Sequence, residues 1–299
     1  MTAMAELGGQ LETRQAADRM GTLRSIESLR GRVRAWHAAG ETVGVVPTMG
    51  ALHEGHLELV RQAKSDCDRV VATLFVNPAQ FDRKEDLASY PRDEASDAAM
   101  LEALAVDLLY APGVEEIYPP GFATKVLVEG LTDCLCGVTR PGHLDGVTTV
   151  VSKLLLQVQP DVAYFGEKDY QQLTVVQRMT RDLDIPVRIA GVPTVREADG
   201  LALSSRNQLL SPEDRETART LYRVIQGIAD KLADGTNDAT PLLEAGRAEL
   251  WAAGFDPIDY LELRAEGTLE LLVRADRPAR VFVAAYLSGT RLIDNVPVT

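Results

Sequence analysis

Short apolar runs rich in β-branched residues alternate with amphipathic stretches of helical period through the first two thirds of the chain. The runs are Val43–Val46, Val70–Val76, Asp107–Tyr110, Val162–Phe165 and Val187–Ala190. The helical stretches are Thr22–Ala39, Gly55–Ser65, Asp93–Ala105, Val147–Gln159 and Tyr170–Leu183. A strand apolar on both sides must be covered on both faces, so this alternation calls for a parallel sheet between two helical layers. Lys125–Glu129 also has strand character. Past about residue 195 the rhythm changes to two helices followed by three strands, the last two joined at Ser288-Gly289. The expectation is an α/β chain: a parallel-sheet domain over 22–194 and a smaller α+β domain over 195–299. Residues 1–21, weakly patterned, read as a loose tail.

Charge narrows the partners. Against 31 Lys and Arg stand 44 Asp and Glu, a net −13. Binding a nucleic-acid backbone calls for a basic face, so no nucleic-acid partner is expected. A small anionic ligand remains open, provided that positive charge is gathered locally. No run approaches the ~18 apolar residues of a membrane span, so no membrane partner is expected. Cys67, Cys134 and Cys136 form no CxxC pair and read as free thiols. With no secretory leader in view, this points to the cytoplasm.

Ligands of an open parallel sheet bind beyond the carboxyl ends of its strands. Three glycine- or proline-bearing loops fall there. The first, PTMGALHEGH (47–56), places His53 and His56 at a strand-to-helix entry, where backbone N–H groups attract anions and imidazoles add donors. A zinc pair is the rival reading, but HExxH needs i,i+4 spacing on a continuous helix, and here the spacing is i,i+3 with Gly55 between. The second, FVNPAQF (75–81), offers Asn77 and Gln80 as paired donors and acceptors for a hydroxylated substrate. The third, FGEKDYQQ (165–172), puts Lys168 where a phosphate could sit, with Asp169 as a helix cap and Gln172 one turn in. At the domain boundary, Ser204, Ser205 and Arg206 suit phosphate clamping by a moving loop. Arg140-Pro-Gly-His143 is a further basic loop.

Taken together and in order, PTMGALHEGH, FVNPAQF, YPR (90–92), RPGHLDGV (140–147), FGEKDYQQ and DGLALSSRN (199–207) resemble the pantoate–β-alanine ligase (pantothenate synthetase) family over nearly all of residues 22–299. The resemblance implies a Rossmann-like first domain, a C-terminal lid, a homodimer, and ATP with Mg²⁺. The implied reaction condenses pantoate with β-alanine through a pantoyl adenylate, releasing pyrophosphate and then AMP. Transferred by motif, the ATP site would comprise Met49, Gly50, Ala51, Leu52, His53, Glu54, Gly55, His56, Gly166, Glu167, Lys168, Asp169, Val195, Leu203, Ser204, Ser205 and Arg206. His53, His56, Lys168, Ser204, Ser205 and Arg206 would be the catalytic groups, with His56 the proton donor. Gln80 and Gln172, with Asn77, would hold pantoate, and Asp97 would stand near Mg²⁺ through water. Leu203 and Leu144 depart from the Met and Phe common at those positions. Without the full set of motifs, HxGH alone leaves open a nucleotidylyltransferase whose product keeps AMP, or a nucleotide-binding module without turnover.

Overall fold

A computed structural model describes residues 20–81, 87–88 and 90–299. The expected N-terminal tail lies almost wholly outside them. The first half of the architecture is β1 (Gly21–Leu23), α1 (Ile26–Ala38), β2 (Val43–Thr48), α2 (Glu54–Asp66), β3 (Arg69–Leu74), α3 (Glu94–Ala103), β4 (Leu108–Tyr110), α4 (His143–Val158), β5 (Val162–Gly166), α5 (Tyr170–Asp182) and β6 (Arg188–Val192). The six strands pair in parallel in the order β1-β4-β3-β2-β5-β6. One face packs Val43, Val45 and Val71 with Leu29 of α1, Leu154 of α4 and Val175 of α5. The other packs Val46, Val70 and Ala72 with Leu59 and Val60 of α2 and Leu101 of α3. Burial on both faces is why these strands read as unbroken apolar runs.

The chain order leaves β2 toward β3 on one side and meets β5 on the other. The sheet therefore has its topological switch between β2 and β5, where two adjacent strands send their following loops to opposite sides and leave a crevice.

The second unit holds α6 (Pro212–Ala218), α7 (Thr220–Ala233), α8 (Thr240–Ala252) and an antiparallel sheet of β7 (Phe255–Ala265), β8 (Ala279–Leu287) and β9 (Thr290–Val298). Its own core packs Leu221, Ile225 and Ile228 of α7 on Leu261, Val281 and Val283. Ser288 and Gly289 both have positive φ, as a tight two-residue hairpin requires.

Three expectations fail here. Two helices are expected ahead of the last three strands, but the first of them breaks at Arg219 into α6 and α7. The stretch taken as one helix from Thr22 begins as β1, which pairs with β4, and α1 starts only after its cap Ser25, whose side chain accepts from Ser28 N–H. Lys125–Glu129 forms no strand. The Val126 N–H donates to Thr149 Oγ1 and its carbonyl accepts from Thr148 Oγ1, so two α4 hydroxyls take the groups that a ladder would have used.

Candidate active site

A cavity of about 250 Å³ opens at the β2–β5 switch point. Its wall combines His53 and His56 from the loop after β2, Lys168 and Asp169 from the turn after β5, and Ser204, Ser205 and Arg206 from the second unit. Loops far apart in sequence thus converge because the strands before them are neighbours.

The two histidines build the helix they sit on. His53 is the N-cap of α2, and its Nδ1 accepts from the Gly55 N–H at 3.2 Å. His56, at the third helical position, accepts the His53 N–H on its own Nδ1 at 3.3 Å. This is a reciprocal capping box made of imidazoles. The rings lie 4.1 Å apart between centroids. A Cβ on Gly55 would come within 2.9 Å of the His53 ring, so only glycine lets that ring fold over the helix entry.

This geometry fixes the protons. Burial, helped by Lys168, pushes His53 down to about 4. Burial and His53 push His56 down to about 3. Both rings are neutral near pH 7, and each Nδ1 already accepts a proton-bearing amide. The ring proton must therefore be on Nε2, so each imidazole offers one N–H donor. The expectation of free backbone N–H groups at this helix entry needs correction. The Gly55 and His53 amides are taken by the rings, and in their place the imidazoles offer Nε2–H groups as donors.

The backbone of residues 50–52 is likewise turned inward. Gly50 N–H donates to Thr48 Oγ1, and the Ala51 and Leu52 N–H groups donate to the two oxygens of Asp97 at 3.0 and 2.8 Å. Asp97 is 2% exposed and does not line the cavity. It ties the histidine loop to α3, with an amide on each of its oxygens. Gly50, Ala51, Leu52, Glu54 and Glu167, expected on the nucleotide, do not line the cavity either. Glu54 pairs with Arg61 on the surface. Glu167 faces Arg280. Met49, Gly55, Gly166, Val195 and Leu203 do line it.

On the opposite wall, Asn77 is saturated. Its Nδ2 donates to Gln80 Oε1 and the Gly146 carbonyl, both at 3.0 Å, and its Oδ1 accepts from Ala79 N–H and Tyr118 Oη–H. Asn77 thus orients Gln80 and has no capacity left for substrate, contrary to expectation. With its Oε1 engaged, Gln80 keeps Nε2, now 3.0 Å from Met49 Sδ, as its donor. Gln172 also lines the cavity. Its neighbour Gln171 points away and holds the 131–136 loop through Leu131 O, Cys134 O and Cys136 N–H.

His143 is placed differently from the other two. Its Nδ1 lies 2.8 Å from the Gln80 carbonyl, which can only accept, so Nδ1 holds the proton and Nε2 is a bare acceptor. Burial, and Arg140 beside it, push it down to about 4. All three histidines therefore bind protons more weakly in the folded chain than in the unfolded one. Stability is full above about pH 6.5 and falls as pH drops toward 4, where the unfolded chain takes up protons that the folded one refuses. The thermal midpoint should fall between about pH 7 and pH 4.5, and less steeply in His143→Gln. An unchanged slope in that variant would contradict the assignment.

Sequence inspection missed the groups that hold the site from outside. Tyr90 hydrogen-bonds Ser205 across the mouth. Within the 195–207 stretch expected as a mobile loop, residues 195–203 form a short hairpin in which the Leu203 N–H donates to Val195 O and Arg196 bridges Ala202. Arg196 grips Asp294 through both terminal nitrogens, at 2.6 and 2.9 Å, and lies over the Tyr222 ring. These partners are nearly a hundred residues apart, and no local pattern signals them.

Among the described residues, no cluster of three or more His, Cys, Asp or Glu could hold a metal ion. Asp169 is the carboxylate in the cavity wall among them. The donor set therefore makes no protein cage for Mg²⁺, which commonly binds through substrate phosphates and waters instead.

Residues 21–297 match the sequence model of the family described as pantoate-beta-alanine ligase. The chain belongs to that ligase family. Pantothenate synthetase of Roseobacter denitrificans is 57% identical over 277 residues, 92% of this chain and 97% of its own. A Thermus thermophilus pantothenate synthetase structure superposes with a TM-score of 0.86 at 51% identity, covering 93% of this chain and 99% of that one. A Francisella tularensis pantoate-beta-alanine ligase, described as complexed with beta-gamma ATP and beta-alanine, is 33% identical with a TM-score of 0.78, over 93% of this chain and 98% of its own. The ligase fold, a parallel sheet with a small antiparallel unit, is the one found here. No helix among the described residues is long and apolar enough to cross a membrane.

Proposed function

We propose that this chain joins pantoate to β-alanine at the cost of ATP, in two steps. A pantoate carboxylate oxygen attacks the α-phosphorus of ATP, the bond to the β-phosphate oxygen breaks, and pyrophosphate leaves. The β-alanine amine then attacks the acyl carbon, the acyl–oxygen bond to AMP breaks, and the amine gives up a proton. The observation that carries this reading is the convergence at one strand switch point of two Nε2–H donors, Lys168 and Arg206 around one cavity.

The chemistry needs little covalent help. In-line transfer at phosphorus is driven by positioning and by stabilising developing charge. In this reading His53 and His56 donate to ATP phosphate oxygens, with His56 nearest the leaving pyrophosphate. Lys168, Ser204, Ser205 and Arg206 hold the remaining phosphates, Asp169 holds the ribose, and Val195 and Leu203 lie against the base. Gln80 and Gln172 bind pantoate. The substrate phosphates would carry Mg²⁺, which would help to neutralise the developing charge. We assign residues 22–194 to the nucleotide and pantoate domain and 195–299 to the lid, in a cytoplasmic homodimer.

Omitting one substrate at a time tests the reaction. With ATP and pantoate, pyrophosphate exchange should proceed without free AMP. Adding β-alanine should release one AMP per pantoate consumed. AMP release that ignores the amine would favour a nucleotidylyltransferase instead. Gln172→Ala should raise KM for pantoate by about 10-fold or more with little change for ATP, as loss of a positioning hydrogen bond to one substrate does. An unchanged pantoate titration would remove Gln172 from the pantoate site.

A further inference from the structure

Lys168 lies in a single 3-10 turn, Glu167–Asp169, which has no side-chain cap of its own. Its backbone is held from the second unit. Asn295 of β9 donates through Nδ2 to the Glu167 carbonyl at 2.9 Å and the Lys168 carbonyl at 3.0 Å. Asn295 is 2% exposed, and its other polar atoms are engaged as well. Its Oδ1 accepts from Arg280 Nε at 2.7 Å, its N–H donates to Asp294 Oδ1, and its carbonyl accepts from Arg196 Nη2. Arg196 in turn grips Asp294 and the Gly200 carbonyl in the hairpin leading to Ser204 and Arg206.

From this we infer that Asn295 is a positioning residue for the phosphate-binding lysine, acting on it through the backbone of the Glu167–Asp169 turn. The same residue meets the hairpin leading to the serines and Arg206 through its backbone carbonyl, which accepts from Arg196 and which a side-chain substitution leaves in place. It therefore sets the distance between the two cationic arms of the cavity, one rooted in the parallel sheet and the other in the antiparallel one. An amide is required: it donates two N–H bonds to carbonyls on one side while accepting from a guanidinium on the other. Aspartate has the shape but not the donors. The inference rests on the placement of Lys168 on phosphate in the preceding reading.

A double-mutant cycle on the full-length chain tests it, read by ATP–pyrophosphate exchange with pantoate. Asn295→Ala and the near-isosteric Asn295→Asp should each lower kcat by about 10- to 100-fold, the size expected when a catalytic group moves by ~1 Å. KM for pantoate should stay within about twofold, a split that general loosening of the fold would not give. In the Lys168→Ala background, adding Asn295→Ala should cost less than about twofold further, because a residue acting only through Lys168 has nothing left to position. Full additivity of the two losses would overturn the role, as would wild-type kcat in a folded Asn295→Asp. If Lys168→Ala alone leaves exchange intact, the phosphate reading of Lys168 itself fails, an outcome distinguishable from the first two. Should Asn295→Ala not fold, the Asn295→Asp cycle with Lys168→Ala decides alone.

Discussion

Replacing His56 by alanine should lower pantoate-dependent ATP–pyrophosphate exchange by about 10²- to 10³-fold, the usual cost of losing one preorganised donor at a developing negative charge. The ring has two separable roles. Its Nδ1 accepts the His53 N–H and caps α2, and the ring lines the cavity with Nε2–H as its remaining donor. Losing the cap costs about 1 kcal/mol and a few degrees of thermal midpoint. His56→Asn supplies a side-chain oxygen that can restore the cap acceptor without the imidazole donor. It should recover most of the midpoint and little of the exchange. Exchange within about threefold of wild type in a folded alanine variant would remove His56 from the chemistry. Because burial pushes the ring down to about 3, His56 meets its substrate as a neutral donor near pH 7.

Gly146→Ala should be the second most damaging single change, although Gly146, within the RPGHLDGV motif, has no site role expected from the sequence. A Cβ there would lie 2.3 Å from the Ala79 carbonyl oxygen and 2.7 Å from Gln80 Cα. Both obstacles are backbone, so α4 and the 78–80 turn must separate by roughly an ångström to restore ordinary contact. That breaks the Asn77 Nδ2–Gly146 O bond and swings the Gln80 amide. The expected result is a fall of about 10²-fold in kcat/KM for pantoate. Overpacking should also cost about 1–3 kcal/mol of stability. ATP affinity should change far less, since the histidines and Lys168 sit on other elements. Equal losses for both substrates would mean that the whole sheet had moved.

How much of this was legible in the sequence follows from the range of each interaction. The strands and helices that form the sheet could be read because burial on two faces writes itself into every residue of a run. Convergence of the loops could be read because parallel topology leaves them little choice. What failed depended on partners distant in the chain. Thr22 and Leu23 fit a helix until β4 is there to pair with them. Val126 and its neighbours read as a strand until two threonines of α4 answer its backbone. The sequence offers Asp97 as a carboxylate near Mg²⁺ but gives no sign of its structural part, in which its two oxygens hold the amides of Ala51 and Leu52. Asn77 looks like a substrate ligand for the same reason: type and place were right, but its donors and acceptors are met within the protein. Asn295 and Arg196 gave no signal, since their roles exist only where two units touch.

The stapled hairpin has one more consequence. With Arg196 fastened to Asp294, the arm bearing Val195, Ser204 and Arg206 cannot swing by itself; it travels as cargo of the antiparallel sheet. Any opening wide enough to discharge a nucleotide must either drag the lysine turn along or break both amide-to-carbonyl links. In the proposed reaction, departure of products would then be geared to the same joint that aligns the reactants.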